Sequence, residues 1–117
     1  MNKTIVLATD HAGFELKEHV KTFLIAKGYD VKDFGAFEYD GLDDYPDFIF
    51  PAAKYISKHK LIGIIFGGSG QGEAMAANRI KGIRAAVFYN GPNEIVELSR
   101  LHNNANILSI GARFVKN

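Results

Sequence analysis

Apolar residues along this chain fall into short unbroken runs, separated by stretches where they recur every three or four positions. That alternation predicts strands exchanging with helices. Ile5-Val6-Leu7-Ala8 ends in Thr9-Asp10-His11, the pattern of a strand buried on both faces whose carboxyl end opens onto a loop. From Gly13, the spacing of Phe14, Val20, Phe23 and Leu24, with Glu15, Lys17, Glu18 and Lys21 between them, predicts an amphipathic helix stopped at Gly28. Tyr29 to Phe34 reads as a second strand. The stretch from Gly35 to Pro46, with Glu38, Asp40, Asp43 and Asp44 among glycine and aromatic residues, reads as a surface loop with solvated acids. Pro46 suits the first turn of a helix, to which Phe48, Ile49, Ala52, Ala53 and Ile56 give an apolar side, with Pro51 near its start. Leu61 to Phe66 is predicted as a central strand. It runs straight into Gly67-Gly68-Ser69-Gly70-Gln71-Gly72 and then a helix-forming run from Glu73 to Ile80. Ile83 to Phe88 gives a fourth strand, Asn93 to Leu101 a helix, and Ile107 to Ile110 a fifth strand.

Regular β/α alternation with short apolar strands predicts a parallel sheet covered by helices on both faces. The expected fold is a doubly wound, Rossmann-like three-layer αβα sandwich with a five-stranded parallel sheet. Its ligand site should lie outside the carboxyl ends of the strands, which puts Thr9-Asp10-His11 and the Gly67 to Gly72 loop on one rim. After the fifth strand only Gly111-Ala112-Arg113-Phe114-Val115-Lys116-Asn117 remain, with no helix to cover it. Residues 1–117 therefore read as a single domain lacking a terminal helix, either shortened or covered there by a partner subunit.

Composition narrows the chemistry. A chain of 117 residues, 47% hydrophobic, holds one packed core. Its net charge of +1 comes from interspersed lysines and acids, so it offers no basic stripe for nucleic acid. With no cysteine, disulfides, thiolate metal sites and a thiol nucleophile are excluded. The apolar run after Met1-Asn2-Lys3-Thr4 is too short for a signal peptide, and no segment approaches a membrane span. The reading is a cytoplasmic protein with no membrane partner. No histidine and acidic residues stand at metal-ligand spacing, and no metal is expected.

The glycine loop is the strongest local signal. Successive glycines let backbone N–H groups turn inward, and the following helix adds its positive end, which together stabilise an anion. A plain flexible turn is the alternative. The spacing lacks the lysine of a GxxxxGK[ST] phosphate loop and is not the GxGxxG dinucleotide fingerprint after a first strand, so nucleotide binding is disfavoured. Glu73 at the helix start is stabilised by the helix dipole even without a function. Beside an anion-stabilising loop, it is also the carboxylate that could take a proton next to a carbonyl. His11 lies on the expected rim. His102, before Asn103-Asn104 at a helix end, is either a dipole-paired histidine or a functional one. His19 and His59, among lysines, read as surface residues.

Taken together, Asp10-His11-Ala12-Gly13, Asp44-Tyr45-Pro46, Gly68-Ser69-Gly70-Gln71-Gly72-Glu73, Ala76-Ala77-Asn78, Gly82-Ile83-Arg84-Ala85 and His102-Asn103-Asn104 resemble the ribose-5-phosphate isomerase B family. That family also includes the subunits of galactose-6-phosphate isomerase. The resemblance spans nearly the whole chain, with the motifs in order. It implies a Rossmann-like αβα fold and a homodimer or dimer of dimers with active sites shared between subunits. It further implies an aldose to ketose conversion of a sugar phosphate through an enediolate, without a cofactor. Ribose 5-phosphate and ribulose 5-phosphate are the leading pair; a six-carbon sugar phosphate, or a non-catalytic sugar-phosphate-binding subunit, are the alternatives.

Many members of that family carry a cysteine base just before the Gly-Ser/Thr-Gly loop, where this chain has Gly67. A second branch places a glutamate directly after the loop, and Glu73 matches it. By the same resemblance Ser69 would relay a proton between substrate oxygens. Backbone amides of Gly70, Gln71 and Gly72 would stabilise the enediolate charge, and Gly68 would help to bind the substrate. His102 with Asp10 would open the furanose ring, His11 and Arg113 would contact the phosphate, and Tyr45 and Asn103 would line the pocket. His102, Asn103 and Arg113 are candidates for acting on a neighbouring subunit's substrate. In the family, the segment beyond this chain's end packs on the neighbouring subunit and supplies basic residues to the phosphate.

Overall fold

The computed structural model describes residues 3–35, 46–91 and 94–115, with side chains at all of these except Pro46, Asp47, Glu94, Val96, Glu97 and His102. The elements alternate as expected: β1 (Thr4–Thr9), α1 (Phe14–Ala26), β2 (Asp30–Asp33), α2 (Pro46–His59), β3 (Ile62–Gly67), α3 (Gln71–Asn78), β4 (Ala85–Phe88), α4 (Glu94–Asn103) and β5 (Ile107–Gly111). A single 3-10 turn at His11–Gly13 joins β1 to α1. The sheet order is β2-β1-β3-β5-β4, and every pairing is parallel.

Because strand side chains alternate, the two faces of the sheet feed two cores. Val6, Ala8, Ile65 and Ile107 pack with Ile49, Ala52, Ala53 and Ile56 of α2 and Ala76 and Ala77 of α3. Ile5, Leu7 and Phe66 on the other face meet Leu16 of α1, with Val20 and Leu24 beside them. A cavity bounded by Ile64, Leu108 and Ser99 places α4 on the α1 side, so the domain is doubly wound. The chain turns one way after β1 and the other way after β3, making the β1/β3 boundary a topological switch point, where such sheets bind ligands. Register aligns the strand ends there: Thr9 lies opposite Phe66, Phe66 opposite Ile110, and Gly67 opposite Gly111.

Several boundaries move by one or two residues, each for a local reason. Helix α3 starts at Gln71 rather than Glu73 because Gly70 takes up a left-handed conformation (φ +81°) as its N-cap. This puts Glu73 in the third helical position. Strand β4 begins only at Ala85 because Asn78 clamps that residue, its Oδ1 accepting from the Ala85 amide at 2.8 Å and its Nδ2 donating to the Ala85 carbonyl at 3.1 Å. Helix α2 continues through Pro51.

Lys17 is the larger surprise. It sits at a polar position of the α1 pattern yet is fully buried, its Nζ donating to the two carboxylate oxygens of Asp33 at 2.9 and 2.7 Å. Glu18 and Lys21 extend the cluster. Burial alone would raise the Asp33 pKa, but hydrogen bonds from Lys17, the Gly35 amide and Lys21 outweigh it and hold the carboxyl below its ordinary value.

Candidate active site

The rim turn after β1 is built by Asp10. Its Oδ1 accepts the Ala12 amide at 3.0 Å and caps the 3-10 turn. Gly13 lets that turn press onto the sheet, since a Cβ there would lie 2.5 Å from both the Phe66 Cβ and the Thr9 Oγ1. The buried Thr9 hydroxyl in turn reaches the Phe66 carbonyl at 3.1 Å, tying the end of β1 to β3. Asp10 is thereby held at the switch point, and it too is buried.

The glycine loop is pinned by the end of β5. The Ala112 and Arg113 amides donate to the Gly67 and Gly68 carbonyls at 2.7 and 3.0 Å, and the buried Ser109 hydroxyl donates to the Gly70 carbonyl at 2.7 Å. Gly111 has to be glycine because a Cβ would strike the Ser69 backbone. Sequence reading does not single out Ser109 or Gly111. The available signal is a serine inside the apolar run Ile107-Leu108-Ser109-Ile110, because a buried hydroxyl requires a partner.

Within the loop, Ser69 Oγ accepts from the Gln71 amide at 3.2 Å. The Glu73 carboxylate also feels the backbone N–H groups of Gly70 and of Glu73 itself, which favour its ionised form. Of the three amides expected to face an oxyanion, that of Gln71 is therefore engaged inside the loop in this geometry.

Glu73 is 5% exposed. Burial pushes its carboxyl above the usual carboxylate range; the charge of Asp10 adds to this, while the two amides and Arg113 pull the other way without cancelling it. Its carboxylate fills the space that a side chain at Gly67 would take, since a Cβ on Gly67 would overlap the carboxylate carbon and both its oxygens. A buried carboxyl of raised pKa beside a loop of amides is suited to take and return a proton.

Arg113 lies across Gly68, where an added Cβ would meet the guanidinium carbon at 3.0 Å. With His11, Ala12 and Glu15 it lines a polar cavity of about 350 Å³ next to the loop. The structure thus gathers Asp10, His11, Gly68, Ser69, Gly70, Gln71, Gly72, Glu73 and Arg113 at one rim. Asn103 is not among them. It ends α4 at the opposite pole, where Asn106 leads into β5 and its carbonyl accepts from the Gly63 amide at 2.9 Å. The backbone of His102 lies in the same last turn. Tyr45 and the side chain of His102 fall outside the described residues.

A doubly wound α/β domain that sets a buried carboxylate against a glycine loop at its switch point has a construction suited to a carbon-acid isomerase. Comparison with known proteins narrows the class. Residues 5–117 match the ribose/galactose isomerase family. The chain is 44% identical over 110 residues to ribose-5-phosphate isomerase B of Mycolicibacterium paratuberculosis, covering 93% of this chain and 68% of that protein. It superposes on ribose-5-phosphate isomerase B of Mycoplasma genitalium, solved with bound ribulose 5-phosphate, with a TM-score of 0.92 and 39% identity over 99% of this chain and 76% of that one. A ribose 5-phosphate isomerase structure from Thermotoga maritima gives 0.91 and 40%, covering 99% and 79%. The chain belongs to the ribose/galactose isomerase family.

Proposed function

We propose that this protein interconverts ribose 5-phosphate and ribulose 5-phosphate, with Glu73 as the base that moves the proton. One observation carries the assignment of the base: the Glu73 carboxylate occupies the volume that a residue-67 side chain would fill. In the resembling family that is the place of the commoner cysteine base. A carboxylate delivered from the helix start thus stands in for a thiol delivered from the strand end.

In the proposed reaction Asp10 and His102 assist opening of the furanose ring. Ionised Glu73 takes the proton from C2 of the open aldose, and the electron pair becomes the enediolate. Glu73 then returns the proton to C1, while Ser69 carries a proton between the oxygens on C1 and C2. For the enediolate to gain donors, the Ser69 hydroxyl turns from Gln71 to substrate. That releases the Gln71 amide, whose bond is long at 3.2 Å, to join those of Gly70 and Gly72. Loss of one such donor typically costs roughly 3–4 kcal/mol of transition-state stabilisation. The phosphate lies between His11 and Arg113, and Tyr45 and Asn103 line the sugar.

The reading includes a homodimer, or a dimer of such dimers, with shared sites in the cytoplasm. Its support is the position of α4, whose last turn with His102 and Asn103 ends at the pole away from its own crevice. The same helix presents Ile95, Leu98 and Leu101 to solvent, the last 76% exposed, an apolar stripe suited to a second copy. Mixing Glu73→Gln and His102→Ala subunits tests this. Each mixed dimer keeps one intact site if sites are shared, so equal mixing restores about a quarter of wild-type turnover; absence of recovery after verified exchange contradicts sharing. Turnover on ribose 5-phosphate beside allose 6-phosphate and galactose 6-phosphate tests the substrate. Preference for a six-carbon sugar overturns the pentose reading but leaves the base assignment standing.

A further inference from the structure

The pole opposite the crevice carries a cavity of about 360 Å³ whose lining includes Ile56, Lys60, Leu61, Arg84, Arg100 and Asn104. Three cations meet there, and no carboxylate among the described residues lines it. In a chain whose 14 basic and 13 acidic residues otherwise nearly balance, this is a local concentration of positive charge. Arg84 belongs to the Gly82-Ile83-Arg84-Ala85 motif, to which the proposed reaction gives no role.

Both guanidinium groups are fixed by hydrogen bonds to neighbouring carbonyl oxygens. Arg84 Nε donates to the Asn104 carbonyl at 2.6 Å and its NH1 to the Gly82 carbonyl at 3.2 Å. Arg100 NH1 donates to Asn104 Oδ1 at 3.2 Å and to the Ala105 carbonyl at 2.8 Å. A guanidinium has five N–H donors, so each keeps others for a ligand while its orientation is set. Such planar, prearranged forks suit a tetrahedral oxyanion. Lys60 adds an ammonium group from the end of α2, and its backbone is left-handed, with φ +55°.

Capping of helix carboxyl ends accounts for part of this, because Lys60 follows α2 and Arg100 bonds the carbonyls that follow α4. It does not account for the convergence of three cations on one concavity. Nor does it account for the mixed lining, in which Ile56 and Leu61 form an apolar wall beside the cations. The volume exceeds that of a bare phosphate and falls in the range of small-ligand pockets.

We infer that this cavity is a second anion site, which binds the phosphate group of a small phosphorylated molecule separately from the crevice at the other pole. The inference does not depend on which sugar the crevice takes.

The test is amide NMR on the full chain titrated with inorganic phosphate, with ionic strength held constant by chloride. Two groups of resonances should shift with separate saturation: one around Gly68 to Gly72 and Arg113, the other around Leu61, Gly82, Arg84 and Asn104 to Asn106. Lys60→Asn, whose side chain tolerates the left-handed backbone, should weaken phosphate at the second group about tenfold. It should leave the first group and turnover unchanged, and Lys60→Gly should behave likewise. The inference is overturned if the second group does not shift, if chloride alone shifts it equally, or if both Lys60 variants titrate as wild type. It is equally overturned if only an oligonucleotide, and not phosphate, produces the shifts.

Discussion

Adding a single methyl group at Gly67 should disable the proposed base without touching its chemistry. A Cβ at this position overlaps the Glu73 carboxylate, and real Cβ atoms essentially never approach another heavy atom under 3.0 Å. The carboxylate in Gly67→Ala must therefore retreat by about 1 Å, a misplacement that typically costs on the order of 100-fold in rate. That is about 2.7 kcal/mol of transition-state stabilisation. The assay is kcat/KM for ribose 5-phosphate, with urea unfolding run in parallel to confirm that the variant is folded. Gly67→Cys should fall at least as far. Adding Glu73→Ala to Gly67→Cys should recover part of the loss, because the thiol then enters the vacated space. Gly67→Ala turning over within about threefold of wild type would refute the reasoning, since so small a loss leaves no room for an ångström of displacement.

Other consequences concern charge and packing. The Asp10 charge is one of the causes that raise the Glu73 pKa, so Asp10→Asn should move the acidic limb of the kcat/KM profile to lower pH, even as turnover falls; an unmoved limb means that Glu73 is not the group that titrates. Because its folded pKa is raised, Glu73 contributes stability that is fully present below the unfolded carboxyl pKa and is lost as pH rises through the folded value. Asp33 has the opposite sign: its folded pKa is lowered, so its stabilisation is present above the unfolded pKa and is lost as pH falls through the folded one. Asp33→Ala removes the main partner of the fully buried Lys17 and should cost about 3–5 kcal/mol in urea unfolding at neutral pH; a loss under about 1 kcal/mol contradicts the charged cluster. Arg113→Ala should raise KM for the sugar phosphate roughly tenfold with a smaller change in kcat, and a pure kcat effect would remove it from the phosphate.

The parallel doubly wound sheet is legible in the sequence because buried strands write themselves as continuous apolar runs. The crevice follows from topology, because the first and third strands end side by side. Glu73 is visible as a candidate only, since a helix-cap glutamate and a catalytic one have the same sequence pattern. The structure shows one carboxylate, buried at the helix start and lying against Gly67, in a place that serves either role. Lys17 is hidden from periodicity because its burial depends on Asp33, sixteen positions away, and hydrophobic patterning carries no record of that pairing. Ser109 and Gly111 escape for a similar reason. Their constraint is the closeness of another segment's backbone, set by the register of β3 and β5 rather than by any local preference.

Deuterium incorporation tests the central claim most directly. Wild-type protein held with ribose 5-phosphate in deuterated water should place deuterium at C2 of recovered aldose and C1 of the ketose. Glu73→Gln, folded as judged by its unfolding curve, should reduce both exchange and net isomerisation by roughly 10²–10⁴-fold. Exchange at the wild-type rate in Glu73→Gln, or isomerisation by wild type with no solvent deuterium taken up even at long times, would contradict a Glu73-mediated enediolate.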